Sequence, residues 1–258
     1  ALAMAHAVAT GTDLMHWKVP KARNVLYIDG EMGPSQLQER ISAYDWTESG
    51  SRFHLINAMS WIERFDGKHP NFAHKYWQNL LHSWASDFSL VILDNVMSLV
   101  DADGKTVSSD EYWSPVQPLN RELRSMGCAV VWFDHTNDTG QIFGTKTKAW
   151  HMDLVFALSA TPAKSKKAES ESTCAFTINF TKVRGRRTQA TSSVALSVTF
   201  ESNAPPVWAS RDREMVLDKE HEKVRTLNDS GLSQREIAGK LDISAAKVNR
   251  ILKHQRKT

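Results

Sequence analysis

Cysteine is almost absent from this chain: Cys128 and Cys174 are the only two among 258 residues, each isolated in a strand-like run. That scarcity excludes a disulfide framework and a cysteine-bound zinc, and it fits a reducing compartment. Long apolar runs are missing too. No segment has the length needed to span a bilayer and no basic-then-apolar leader opens the chain, so no membrane role is expected and the cytoplasm is the expected location. Charge of one sign is also scarce, since 32 Lys and Arg against 29 Asp and Glu leave only +3. So small a sum does not argue for nucleic acid, but its distribution is uneven. Residues 231–258 carry seven Lys/Arg and two Asp/Glu.

One further absence matters most. A phosphate-cradling loop of the form G-x-x-x-x-G-K-[ST] occurs nowhere in the sequence. Gly104-Lys105-Thr106 spells its last letters, but Leu99 stands where the first glycine belongs. That segment lies in a polar loop with no strand before it and no helix after it, so an ordinary Asp-Gly turn is expected there.

What the chain does contain is an alternation of apolar strands and amphipathic helices. The opening ALAMAHAVATG has helical character without an N-cap or an initiating Met, and the chain is expected to be a fragment. Strands follow at Asn24–Asp29 and Phe53–Asn57, with a helix from Pro34 to Trp46 between them. A helix over Asn71–Ser86 precedes Leu90–Asp94, whose continuous apolar run is of buried parallel type. A polar loop at Asp101–Ser109 and a helix to Met126 lead into the strand Cys128–Phe133. This rhythm predicts right-handed crossovers and a parallel sheet, hence an α/β class. Beyond Asp153 strands come without helices, at Leu154–Ser159, Ala175–Lys182 and Ser193–Phe200. Ala204–Ser210, with Pro205 and Pro206, is expected to be a linker.

In open parallel sheets ligands bind beyond the carboxyl ends of the strands. Glu31, Asp94 and His135 each follow such a strand, which suggests that they converge. Asp94 after LVIL suits a Mg²⁺ ligand, Glu31 a base for an attacking water, and His135 a contact to the γ-phosphate of ATP. An acidic residue at a single strand end is commonly only a turn or capping residue; three in the right order point to ATP hydrolysis.

The segments VLYIDGEM, LVILDNV, VVWFDHT, GTKTKAWHMD and FTKVRG together make residues 1–200 resemble the RecA-like ATPases of the plasmid-replication RepA helicase group, relatives of the DnaB hexameric helicases. The resemblance implies a P-loop NTPase core whose first strand and phosphate loop lie just upstream of Ala1. It implies a homo-oligomer, a hexamer among its forms, in which Lys182 and Arg184 reach a neighbouring subunit's nucleotide as an arginine finger. It also implies a loop over Thr136–Lys148 lining a channel for single-stranded DNA, with Lys146 and Lys148 on phosphates. Lys182 and Arg184 otherwise suit a solvated cationic strand edge, and the two lysines an ordinary surface loop.

The tail is legible without any resemblance. Ser233 with Glu236 is a capping box, and Ile237, Ala238 and Leu241 make an apolar helix face. Leu241-Asp242-Ile243 makes a tight turn, and Ser244 caps a second helix whose Val248, Ile251 and Leu252 face inward. This is helix-turn-helix spacing, supported by a preceding helix over Glu214–Leu227. The outward residues Lys247, Asn249 and Arg250 suit the major groove of duplex DNA, with Ser244 and Lys253 near phosphates. The expected organisation is therefore a RecA-like core over residues 1–203, a linker over 204–212 and a helix-turn-helix module over 213–258. Two functions fit: an ATP- and Mg²⁺-dependent helicase or other motor on DNA, or a protein without unwinding activity, either a DNA-binding regulator that uses the core for assembly or a recombination or repair ATPase.

Overall fold

The structure is a computed structural model that describes residues 1–137, 140–160, 173–200, 204–211, 223–224 and 226–254. Its first half is a three-layer α/β sandwich. Strands β1 (Val25–Asp29), β2 (Phe53–Asn57), β3 (Leu90–Asp94) and β4 (Ala129–Trp132) form a parallel sheet in the order β2-β1-β3-β4. Because side chains alternate across a strand, each run is divided between two cores. Leu26, Ile28, Val91 and Leu93 pack with Trp77, Leu81, Leu119 and Leu123, which belong to α4 (Lys75–Ala85) and α7 (Val116–Ser125). Val25, Tyr27, Leu90 and Ile92 pack on the other face with Leu2, Ala5, Ala9 and Leu37, from α1 (Leu2–Thr10) and α2 (Pro34–Ser42). Burial on both faces explains the continuous apolar strands, and each fully buried Leu or Ile stabilises by roughly 1.5–3 kcal/mol.

Helices end earlier than periodicity suggests. The helix expected to reach Met126 is two: α6 (Asp110–Trp113), capped by Ser109, and α7 after Pro115. Single turns also follow two strand ends, as α3 (Ala58–Trp61) and α5 (Val96–Leu99), each N-capped by an asparagine side chain. Between α5 and α6, Asp103 and Gly104 take positive φ and Lys105 pairs with Glu111, so the GKT letters form the turn expected of them.

The second half, which begins after α8 (Thr147–Trp150), is an antiparallel meander of its own. Its strands are β5 (Leu154–Ala160), β6 (Thr173–Val183), β7 (Val194–Thr199) and β8 (Val207–Arg211). The linker expected at 204–212 is corrected by β8: Val207–Arg211 pairs along β7 despite Pro205 and Pro206, which lie just ahead of an edge strand where a missing N–H costs nothing. Asp153 ties the halves together, accepting from Arg124 on α7 and from Arg184 just past β6, each at 2.9 Å.

At the C-terminal end, α9 (Gln234–Leu241) and α10 (Ala245–His254) pack through Ile237, Val248 and Ile251, with Val224 buried among them. The capping box forms as read, with Ser233 N–H donating to Glu236 Oε2 at 2.8 Å. Asp242 takes the left-handed conformation between the helices, at φ 52° and ψ 47°. Much of the supporting helix expected over Glu214–Leu227 lies outside the described residues, though residues 223–224 and 226–229 are helical. Among the described residues no helix is long and apolar enough to cross a membrane.

Candidate functional site

The ends of β1, β3 and β4 bring a compact polar cluster to one edge of the parallel sheet. Register places Asp29 beside Asp94, and period-two alternation puts both on the α1 face with Tyr27. The Tyr27 phenol donates to Asp94 Oδ2 at 2.7 Å and lies 3.4 Å from Asp29 Oδ2. Burial, and then the Asp94 carboxylate, push the Tyr27 pKa above its ordinary value, so the phenol remains a proton donor. Asp29 is 1% exposed and accepts the N–H groups of Glu31 and Met32 at 3.1 and 2.7 Å. Desolvation raises its pKa, and those two N–H groups oppose the shift. Asp29 thus closes the turn that carries Glu31. Gly30 inside that turn donates to the Asp94 carbonyl at 2.6 Å, and a Cβ there would meet Leu99 at 2.7 Å, so only glycine fits.

Glu31 and His135 stand over this floor and remain solvent-accessible, with side chains 55% and 57% exposed and 3.9 Å between His135 Nε2 and Glu31 Oε2. Asn95 sits between them. Its Nδ2 donates to Glu31 Oε2 and lies 3.2 Å from His135 Nε2. Three of the residues expected from sequence, Glu31, Asp94 and His135, are therefore gathered on one edge. Three that sequence reasoning passed over, Tyr27, Asp29 and Asn95, hold them there. The signal was present in YID and LDN, where a polar residue interrupts or follows a buried run.

The remaining expected residues divide. Lys148 is corrected: it is 4% exposed, with its ammonium on Asp134 Oδ2 and the Phe143 carbonyl at 2.5 and 2.7 Å, so it does not present a charge to DNA. Asp134 in turn accepts the His135 N–H at 3.0 Å. Burial raises the Asp134 pKa while Lys148 opposes the shift. The lysine is thus an anchor at the base of the loop after β4, a role that its polar neighbours hid. Lys146 is exposed at the start of α8. Lys182 donates to the Ala149 and Trp150 carbonyls at 2.7 and 2.9 Å, and Arg184 to the Trp150 carbonyl at 3.1 Å. Both turn back onto the end of α8, so reaching a neighbouring subunit requires release of these bonds. On α10, Ser244 accepts the Lys247 N–H at 3.2 Å, and Ser244 is exposed while Lys247 and Asn249 are half-buried. The side chains of Arg250 and Lys253 lie outside the described residues.

A protein-family model described as an AAA domain matches residues 1–141. The chain belongs to the AAA domain family. With that membership come an AAA/RecA-like ATPase fold and nucleotide binding. No curated protein gives a significant match. The AAA match takes in all of β1–β4 and every member of the cluster from Tyr27 to His135; it ends before Lys146, the antiparallel sheet and the C-terminal helices.

The donor set fits the Mg²⁺ that nucleotide-binding ATPases usually carry. Hard divalent ions prefer carboxylate oxygens. Asp94 keeps Oδ1 clear of hydrogen bonds among the described residues while Tyr27 fixes Oδ2. The same face carries the start of α1, where Ala1 lies within electrostatic reach of Asp94.

Proposed function

We propose that this chain is the catalytic part of a Mg²⁺-dependent ATPase that acts on DNA, most like a replicative helicase or related motor of the RepA and DnaB kind. The observation that carries the reading is the gathering of Asp94, Glu31 and His135 at one end of the parallel sheet, with acid and base groups exposed above a buried carboxylate floor. Asp94 would hold the metal, which would neutralise charge on the transferred phosphoryl group. Glu31 orients the attacking water and takes its proton, and His135 contacts the terminal phosphate. DNA contact is assigned to Lys146 in the loop after β4 and to the C-terminal helix pair. The resemblance supports a homo-oligomeric assembly.

The test is ATP turnover by the purified protein. Glu31→Gln should abolish turnover, a loss on the order of 10² to 10⁴, while ATP still binds. Turnover undiminished in that variant sinks the assignment.

A second reading is favoured by the packing of α9 against α10 through a tight αL turn at Asp242, the spacing of a helix-turn-helix. In it the protein is a site-selecting DNA-binding regulator whose ATPase core serves assembly. Strand-displacement assays separate the two, because a regulator binds duplex and separates no strands. Under either reading Lys247→Ala with Arg250→Ala should weaken duplex binding in a gel-shift titration at fixed salt; unchanged binding removes DNA from the tail.

A further inference from the structure

Asn95 is buried, 4% exposed, yet it holds two groups that face solvent. Its side-chain amide has a fixed orientation. The oxygen caps α5, accepting the Ser98 N–H at 3.1 Å and lying 3.3 Å from the Ser98 hydroxyl. A backbone N–H only donates, so the atom facing it must be the amide oxygen, and Nδ2 must face the other way. On that side stand Glu31 Oε2 and His135 Nε2, the latter at 3.2 Å. An amide NH₂ has two hydrogens and no acceptor capacity. For both contacts to be hydrogen bonds, Nε2 must be the unprotonated ring nitrogen, which places the proton of neutral His135 on Nδ1.

We propose that Asn95 is a positioning residue that presents one N–H to Glu31 and one to His135, so that the water-activating carboxylate and the phosphate-facing imidazole are set as two acceptors on a single rigid amide. The rigidity comes from the α5 cap, which fixes the amide by its oxygen. A water between Glu31 and the terminal phosphate then meets a carboxylate whose one oxygen is held and whose other is free to take a proton. His135 is kept from closing the 3.9 Å gap to Glu31 as an ion pair. The charged groups around His135 are Glu31 from the β1–α2 turn and Asp134 on its own segment, with Lys148 behind Asp134. The catalytic consequence rests on the ATPase reading; the geometry does not.

Asn95→Asp is the discriminating variant, because it keeps the oxygen that caps α5 and replaces both N–H donors with an acceptor. Long-range ¹H–¹⁵N spectra of the His135 ring are recorded at a pH high enough that the ring ¹⁵N shifts themselves show the neutral form. In the native chain Nε2 is expected to be unprotonated, and in Asn95→Asp the proton moves to Nε2 to meet the new carboxylate. The Ser98 amide resonance, expected to persist, certifies that the cap survives. Asn95→Ser also keeps a capping oxygen and removes the reach to His135, so it should give a mixture of tautomers. A proton on Nε2 in the native chain, or the same tautomer in all three, overturns the proposal. On ATP turnover, Asn95→Asp should lower kcat on the order of 10²-fold with KM nearly unchanged, the pattern of a group acting only in the transition state. Should the native protein turn over no ATP, the ATPase reading fails while the ring spectra still decide the role of Asn95.

Discussion

The two sheets of this molecule have four strands each and differ in what their edges can do. In the parallel sheet every strand runs the same way, so the residues at and after the ends of β1, β3 and β4 leave at one edge: Asp29 and Glu31, Asp94 and Asn95, Asp134 and His135. In the antiparallel sheet successive strands end at opposite edges, and no comparable gathering is possible. Its basic residues Lys182 and Arg184 are instead bound to the carbonyls that end α8. Burial follows the same division. Ile92 and Leu93 of β3 are fully buried, whereas Leu154 and Leu158 of β5 are 49% and 51% exposed. A parallel core covered on both faces thus supplies a rigid edge for chemistry, and the meander leaves apolar surface uncovered.

The largest test of that contrast concerns the loop between the two sheets. Lys148→Met leaves the half-buried Asp134 carboxylate, 17% exposed, without its partner, which should cost about 3–5 kcal/mol by denaturant unfolding at neutral pH. The sign with pH follows from Asp134, whose folded pKa is raised by burial. Stability associated with its protonated form is present below the ordinary carboxylate pKa of about 4 and is lost as pH rises through the folded value. Removing Lys148 raises that value further, so the variant should approach native stability in acid and diverge toward neutrality. A penalty independent of pH would mean that Lys148 acts by packing alone.

Next in size is a matched pair. Leu93→Ala in β3 should cost about 2–5 kcal/mol, because the site is enclosed on all sides and a cavity remains. Leu158→Ala in β5 should stay within about 0.5 kcal/mol. Equal shifts in the urea midpoint would erase the distinction between the sheets and imply that the exposed face of β5 is covered.

These differences also explain what was legible in the sequence. Strands β1 and β3 announced themselves as unbroken apolar runs, because burial on both faces demands it, and the half-buried edge strand β4 carries a similar run; Glu31, Asp94 and His135 followed from their positions at or after the ends of those runs. Asn95 did not, since its role depends on capping α5, a single turn too short to show a period. Lys148 was misread because a lysine in a polar, glycine-containing loop has the same local signature whether it faces solvent or a half-buried aspartate 14 residues earlier. Strand β8 was hidden by Pro205 and Pro206, which mark a loop when read locally; pairing with β7 is a tertiary fact. The capping box of α9 is purely local, spanning Ser233 to Glu236, and it was fully legible.

That locality sets the smallest expected effect. Ser233→Ala removes the hydroxyl that accepts the Glu236 N–H, and the serine N–H remains free to pair with the Glu236 carboxylate at 2.8 Å. The loss should be about 1 kcal/mol. It should appear in amide exchange of the first turn of α9 and leave the parallel sheet untouched, because Ile237, Val248 and Ile251 form a core separate from that of β1–β4. Faster exchange spreading into Val91 or Ile92 would show that the C-terminal helices and the AAA sheet unfold as one unit.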